Sequence, residues 1–494
     1  LRSRIKEGSF IINFLGHGNT DFWTEEKILT KDDIDELTNR NRLPIFVTAT
    51  CEFGRHDDPL RVSGAEELLL SERGGGIALL TTSRPVFAST NFSLNKAFHE
   101  SVFNDGDRLG DIIRFTKNNG LEGRINRNFT LLGDPMMRPA FPKLDIVFDD
   151  VEDKLDTLRA LQKVTLSGEV QDNGIIKNTF NGQMKIKVFD VAQEFETRGH
   201  KSNDPYTYSS RNNAIFRGEA MVVNGKFDFS FIVPKNISYQ LDRGKISLYA
   251  WDFDLNIDAA GSSHNFIVGE TLDNGIADNT PPNIRLYLND ESFKNGGKVG
   301  SSSLLIAQIK DDSGITTLKL GVIEGILLEI GDQKINLNEY YSASSDTFTE
   351  GRVVYPLEDL VPGSYRVILK VWDTHNNSST STIEFNVSSE PEIFTFNETA
   401  YPNPAADHTT FYFEHDREDE DLNVNLKVHD ARGSIQYEKD YLFRNSSRSV
   451  KIKWNLDTNS GQPLNRGIYY CRLIIKSNFD GAAKEIVEKL VLSR

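Results

Sequence analysis

Cys51 and Cys471 are the only cysteines in 494 residues. They lie in segments of quite different character, so a disulfide framework is excluded and a cysteine-based zinc site lacks ligands. Each thiol has to be judged singly. Apolar runs are short as well: none reaches eighteen residues, the length a membrane-spanning helix requires. Basic residues are in deficit, with 56 Lys and Arg against 72 Asp and Glu and a net charge of −16. A surface of that sign repels phosphate backbones, and no local basic patch interrupts it, so no nucleic-acid partner is expected. The chain opens at Leu1 without a leading Met or a signal peptide and enters strand-like sequence at once. It reads as an internal fragment or a processed product, with part of a catalytic domain upstream.

What is present suits several packed domains. The charged fraction of 26% is ordinary, and the length corresponds to three or four domains of roughly 150 residues. Residues 1–142 alternate strand and helix signals. Ser9–Leu15 and Pro44–Thr50 are apolar strands, the first ending in Gly-His-Gly and the second at Cys51; Ile77–Thr82 is a third. Thr30 with Asp33 caps a short helix running to about Asn39. Ser63 with Glu66 forms a capping box for a helix that stops at Gly74–Gly76. Two more helices are predicted over Asn91–Phe103 and Leu109–Asn118. Strands separated by helices imply βαβ units around a parallel sheet, with right-handed crossovers placing the strands' carboxyl ends on one edge.

After Pro142 the pattern becomes period-two and β-branched, with turn signals at Asn173-Gly174, Asn181-Gly182 and Asn224-Gly225. Residues 143–278 and 279–389 each end in an alternating run followed by Trp-Asp (Trp251-Asp252, Trp372-Asp373) and an Asn-containing turn. They read as two related β-sandwiches joined by a linker at Asn279–Pro282. Residues 390–494 form a third β-sandwich.

The chemistry sits on the first sheet. Two consecutive strands deliver His17 and Cys51 to the carboxyl edge, the usual place for a site in an α/β fold. A thiol near an imidazole ionises more readily, and the thiolate is the attacking species. His17 would then protonate the leaving amine. Gly18 has no side chain, so its N–H can approach a substrate carbonyl. Together with the Cys51 N–H it makes an oxyanion hole, worth about 3 kcal/mol per donor. Taken singly, a cysteine after an apolar strand reads as inert core and Gly-His-Gly reads as a turn; the pairing is what distinguishes them.

NFLGHGN followed 34 positions later by the cysteine of VTATCEFG resembles the gingipain family of cysteine peptidases, in the caspase-like clan. GGGIALLTTSRPVF and LLGDPMMR resemble further parts of that catalytic domain. The resemblance implies a partial caspase-like α/β domain, followed here by the three β-sandwiches. It also implies His17 and Cys51 as the catalytic dyad, with Gly18 and Cys51 N–H groups as the oxyanion hole. The third catalytic carboxylate would lie upstream of this chain. NGKFDFSFIVPKNISY, TPPNIRLYLNDESFKNGG and YPNPAADHTTFYFEH resemble the PorU-type sortases of the type IX secretion system. The last sandwich resembles that system's sorting domain, apart from an acidic insertion, Asp416–Asp421. This implies an endopeptidase and transpeptidase at the cell surface, peripheral on a Gram-negative outer membrane. It would remove C-terminal sorting domains from cargo proteins and attach the cargo to a lipopolysaccharide anchor. The implied partner is the outer-membrane barrel PorV, and no cofactor or metal is implied. A gingipain-like protease exported as cargo, and a catalytically inactive surface-binding relic, are the alternatives.

Other residues carry blander readings. Asp252, Asp254, Asn256 and Asp258 alternate as calcium ligands do. However, Ile257 and Ser263 occupy the places of the loop glycine and bidentate glutamate, so an EF-hand is excluded and a solvated turn is expected. Cys471 is expected to be a buried strand thiol, Arg417–Asp421 a solvated loop, and Trp251 and Trp372 sandwich-core anchors. Trp23 and Glu52 flank the dyad as candidate cleft residues. His56, His99 and His264 are read as structural or exposed.

Overall fold

The structure, a computed structural model, describes all residues except 104–106, 121–126, 149–156, 200–203, 239, 273–274, 276, 320–322, 389–391 and 494. The expected boundary at 389/390 lies outside the described residues. The chain forms two compact units, Leu1–Phe141 with Thr399–Arg494, and Pro142–Glu398.

Strand-like sequence was expected from Leu1; instead α1 (Arg2–Glu7) precedes β1 (Ile11–Leu15), burying Ile5 fully. α2 (Lys31–Asp35) begins at the expected cap, with Thr30 and Asp33 satisfying each other's backbone N–H groups. It stops a turn earlier than expected. β2 (Ile45–Ala49), α3 (Gly64–Leu70, with the Ser63–Glu66 capping box) and β3 (Ala78–Thr82) follow. Next come α4 (Ala88–Val102), α5 (Leu109–Gly120) and β4 (Phe129–Leu132), the last a strand that the sequence pattern did not suggest.

The sheet order is β1-β2-β3-β4, with the first three parallel and β4 antiparallel to β3. Alternation sorts β2 between two cores. Phe46 joins Ile5, Trp23, Ile34, Phe53 and Leu68 on one face, and Ile45 and Val47 join Leu94, Phe98, Ile112 and Phe129 on the other. Helices therefore cover both faces, which is why β2 and β3 are buried at every residue. β1 is an edge strand.

The remainder is almost entirely β. In Pro142–Glu398, a long sheet runs through strands from both sides of residue 278, joined by a single parallel pairing of Gly218 with Ala343. Asn173-Gly174 and Asn224-Gly225 take positive φ at both residues, as tight hairpin turns require. Gly182, by contrast, opens the strand Gly182–Phe189, and the Asn181 N–H is held by Asp252 instead of turning a hairpin.

The recurrent Trp-Asp is a turn device built on the aspartate. Asp252 accepts the N–H groups of Asp254 and Leu255, both at 3.0 Å, and Asp373 accepts those of His375 (2.9 Å) and Asn377 (2.8 Å). Both aspartates point inward and are buried. The expected pair of core tryptophans is thereby corrected: Trp372 is buried, but Trp251 alternates to the other face and lies half-buried beneath the Lys185 ammonium. Asp252 is likewise no solvated turn residue.

The terminal segment packs two sheets, with strands Leu422–Asp430, Ile435–Phe443, Gly467–Ser477 and Ala483–Leu492 in one of them. Cys471 is fully buried there, and burial pushes its thiol up to about 12. The acidic insertion is not the solvated loop expected. Arg417, largely buried, ion-pairs with Glu420 (3.0 Å) and Asp480 (2.9 Å), and Arg42 of the first region reaches Glu418 at 3.4 Å.

Candidate active site

Ile11 pairs with Ile45 and Leu15 with Ala49 in parallel register, and Gly16 N–H carries the ladder one step further to Ala49 O at 3.3 Å. The ladder ends there, and His17 and Cys51 each lie two residues past the end of their strand. Neighbouring strands are about 4.8 Å apart, so the two backbones stand side by side at the carboxyl edge. His17 is exposed and Cys51 half-buried, which leaves both open to a peptide arriving at that edge.

Gly18 and Trp23 form a bridge in which the flanking residues exchange the hydrogen bonds: Thr24 N–H to His17 O at 2.9 Å, and Asn19 N–H to Phe22 O at 3.1 Å. The Gly18 N–H therefore faces away from that hairpin. Among the described residues it has no partner, as an oxyanion donor requires. The absence of a side chain is also enforced by packing, because a Cβ on Gly18 would stand 2.5 Å from Thr50 Oγ1 and 3.1 Å from Phe22 O.

The chain turns sharply after the cysteine. Glu52 adopts φ +56°, a left-handed conformation uncommon for a side-chain-bearing residue and found at functional turns. The turn is held by Gly54 N–H to Thr82 O (2.9 Å), and Arg55 clasps Glu52 (2.9 Å) and Asp58 (3.5 Å). Glu52 thus stays at the site, whereas Trp23 does not line a cleft: it is fully buried and stacked on Phe14 at 4.4 Å.

The cysteine Sγ–H donates to Val86 O at 3.6 Å, and the His17 imidazole makes no hydrogen bond among the described residues. In this arrangement the thiol and the imidazole are not hydrogen-bonded to each other. Residues just after β3 frame the other side. Arg84 binds Asp57 through two hydrogen bonds (2.8 and 2.5 Å), and this pairing holds the Asp57 carboxyl down at about 2. Asn91 on α4 donates to Ala49 O at 2.9 Å and steadies the end of β2. Val86, Arg84 and Asn91 were not singled out from sequence, although SRPVF lies within a stretch noted for its family resemblance.

Two other histidines of this region are engaged by backbone carbonyls: His56 Nδ1 lies 3.0 Å from Gly54 O and His99 Nδ1 2.9 Å from Asn95 O. Beside β1, a depression of about 490 Å³ is lined by Asn13, Leu15, Phe92, Asn95, Lys96 and His99, with Glu100 at its end. No helix among the described residues is long and apolar enough to cross a membrane.

Residues 1–140 match the family model of peptidase family C25. Among solved structures, the chain is similar to dimeric latent PorU from Porphyromonas gingivalis, with 28% identity and a TM-score of 0.33, over 78% of this chain and 38% of that one. It is also similar to the complex of Porphyromonas gingivalis RgpB pro- and mature domains, with 14% identity and a TM-score of 0.27, over 55% of this chain and 56% of that one. The Arg-specific cysteine proteinase gingipain R gives 14% identity and a TM-score of 0.26, over 54% of each chain. The chain thus spans 38% of the length of the PorU structure. No curated protein matches it.

Proposed function

We propose that this chain, whose residues 1–140 match the family model of peptidase family C25, is the part of a cysteine peptidase that carries its nucleophile. The observation that supports this most is that His17 and Cys51 each follow by two residues the paired ends, Leu15 and Ala49, of two adjacent parallel strands, with the Gly18 N–H left out of the hairpin ladder beside it.

The chemistry follows from those positions. A substrate strand arriving at the edge displaces the thiol from Val86 O, and the thiol passes its proton to His17. The Cys51 thiolate attacks the scissile carbonyl, and the negative charge that develops on its oxygen is met by the N–H groups of Gly18 and Cys51. Collapse of the tetrahedral intermediate breaks the C–N bond, the leaving amine takes the proton from His17, and a thioester remains on Cys51. Water resolving the thioester completes hydrolysis; an amine resolving it completes transpeptidation.

The finer reading is that of a surface sortase. Such an enzyme cleaves C-terminal sorting domains from type IX secretion cargo and transfers the cargo to a lipopolysaccharide anchor, with the barrel PorV as its membrane partner. The terminal β-sandwich with its YPNP start, and a thioester that an amine can resolve, support this reading. Expression of the full-length protein with Cys51→Ala tests it in cells: cargo should accumulate with its sorting domain attached, and normal cargo maturation in that strain would overturn the proposal.

A further inference from the structure

Three carboxylates of the β unit converge near strand ends. Asp278 lies ahead of the strand Asn283–Leu288, Asp311 directly follows Ser303–Lys310, and Asp373 directly follows Gly363–Trp372. One oxygen of each lies within 4.8 Å of the others. Asp311 is 5% exposed, Asp373 is 0% exposed, and Asp278 is half-buried.

Their hydrogen bonds do not neutralise them. Asp311 Oδ1 accepts the Ser313 N–H (2.9 Å) and hydroxyl (2.7 Å), and Asp373 Oδ2 accepts the Asn377 amide at 2.8 Å. Asp278 Oδ1 accepts the Thr280 N–H at 2.8 Å, whereas its Oδ2 is fully buried and has no partner. Among the described residues no Lys or Arg ion-pairs with any of the three; the His375 imidazole acts on Asp278. Burial first, and then the neighbouring carboxylates, raise Asp311 to about 6, and the same two causes push Asp373 up.

A second observation comes from Tyr341–Ala343, which is separated from the strand preceding Asp311 by Glu350–Leu357. Tyr341 is 4% exposed and its hydroxyl has no partner. The hydroxyl reaches across Gly351, where a Cβ would stand 2.4 Å from it, toward the strand end that bears Asp311. Burial, and then the Asp311 charge, raise the phenol. A buried hydroxyl left without a partner is costly.

We propose that Asp278, Asp311 and Asp373 bind a calcium ion that ties the segment before residue 283 to two strand ends. Oxygens on one calcium, at 2.3–2.6 Å each, lie at most about 5 Å apart, and three hard carboxylate donors without sulfur or imidazole suit that ion. Magnesium keeps most of its water and fits a buried three-carboxylate cage poorly. The bound cation keeps Asp311 ionised and gives the Tyr341 hydroxyl an acceptor on that side. The sequence did not reveal the cluster, because its members are 33 and 62 positions apart and no spacing motif links them.

The test uses the full chain, melted in 2 mM calcium chloride and in EGTA. Calcium should raise the melting temperature of the β unit by about 5 °C, as a ligand that binds only the folded state does. Asp311→Asn should remove that shift while leaving the protein in EGTA at least as stable as the unsubstituted chain, because one repelling charge is gone. Should Asp311→Asn not fold, Asp278→Asn, at the half-buried member, takes its place. Terbium emission excited through tryptophan should weaken at least tenfold in affinity in either variant and stay unchanged in Asp254→Asn. Equal melting in calcium and EGTA, an equal shift with magnesium, or a calcium shift that survives both substitutions would overturn the assignment.

Discussion

Leu15 lies opposite Ala49 in a parallel ladder, and two residues beyond each of them come His17 and Cys51. The candidate dyad is therefore a consequence of strand register. A slip of one residue would send every side chain of β1 to the opposite face and separate the pair. The slip is opposed on both faces of β2, by Phe46 in one core and by Ile45 and Val47 in the other.

Gly18→Ala should impair catalysis through its Cβ, which would stand 2.5 Å from Thr50 Oγ1. Displacing one oxyanion donor lowers kcat by about 10²–10³-fold. Thr50→Ala removes the nearer obstacle and should restore part of the loss in the double variant, whereas Phe22 O, 3.1 Å from the same Cβ, keeps the restoration incomplete. Steady-state kinetics on the two single variants and the double variant check this; a fully active Gly18→Ala enzyme would remove Gly18 from the mechanism.

The two thiols should respond differently to alkylation. Cys51 is half-buried, while Cys471 is fully buried with its thiol raised to about 12. Native protein treated with iodoacetamide at pH 8 should gain one adduct, mapped to Cys51, and denatured protein should gain two. Intact mass followed by peptide mapping reads both numbers, and native labelling of Cys471 would contradict its placement.

His415 should make the terminal sandwich sensitive to acid. Its ring is buried, and burial lowers it to about 4; the Arg417 N–H donates to Nδ1 at 3.1 Å, a bond that a protonated nitrogen cannot accept. The folded form therefore binds fewer protons than the unfolded form between pH 6.5 and 4, and its stability falls as the pH drops through that window. The loss amounts to roughly 1–3 kcal/mol. Denaturant titrations at pH 7 and pH 4.5 should show a smaller acid loss in His415→Gln than in the unsubstituted chain.

Arg417 holds the acidic insertion together. Its guanidinium lies 3.0 Å from Glu420 and 2.9 Å from Asp480, with only 14% of the side chain exposed. Removing one partner from a largely buried ion pair leaves charge unpaired, so Arg417→Ala should destabilise the terminal sandwich by about 2–4 kcal/mol. Replacing Glu420 with Gln in that background should recover part of the loss. Chemical denaturation of the four proteins of this cycle decides it, and additive losses would show that the two residues act independently.

Most strands and helices in residues 1–142, α1 and β4 excepted, were legible because local rules suffice there. Thr30 with Asp33, and Ser63 with Glu66, cap their helices through contacts three residues apart, and the buried runs before His17 and Cys51 leave a strand little alternative. Misreadings arose where a distant partner decides. Trp251 looked like core until the pairing of Lys245–Asp252 turned Ala250 and Asp252 inward. The run Arg417–Asp421 looked solvated because its counter-charge Asp480 and its neighbour Arg42 are remote in sequence.

By itself the sequence determined the first three strands of the parallel sheet, the capped helices between them, the period-two β segments and the two strand ends that precede His17 and Cys51, since each depends on residues within a few positions of one another. Only the tertiary structure decided which strands adjoin, that the Gly18 N–H is left out of the hairpin beside it, and that Asp278, Asp311 and Asp373 meet. Those relations are set by packing between segments tens of residues apart, where burial, ladder register and charge repulsion act between partners that local sequence does not identify.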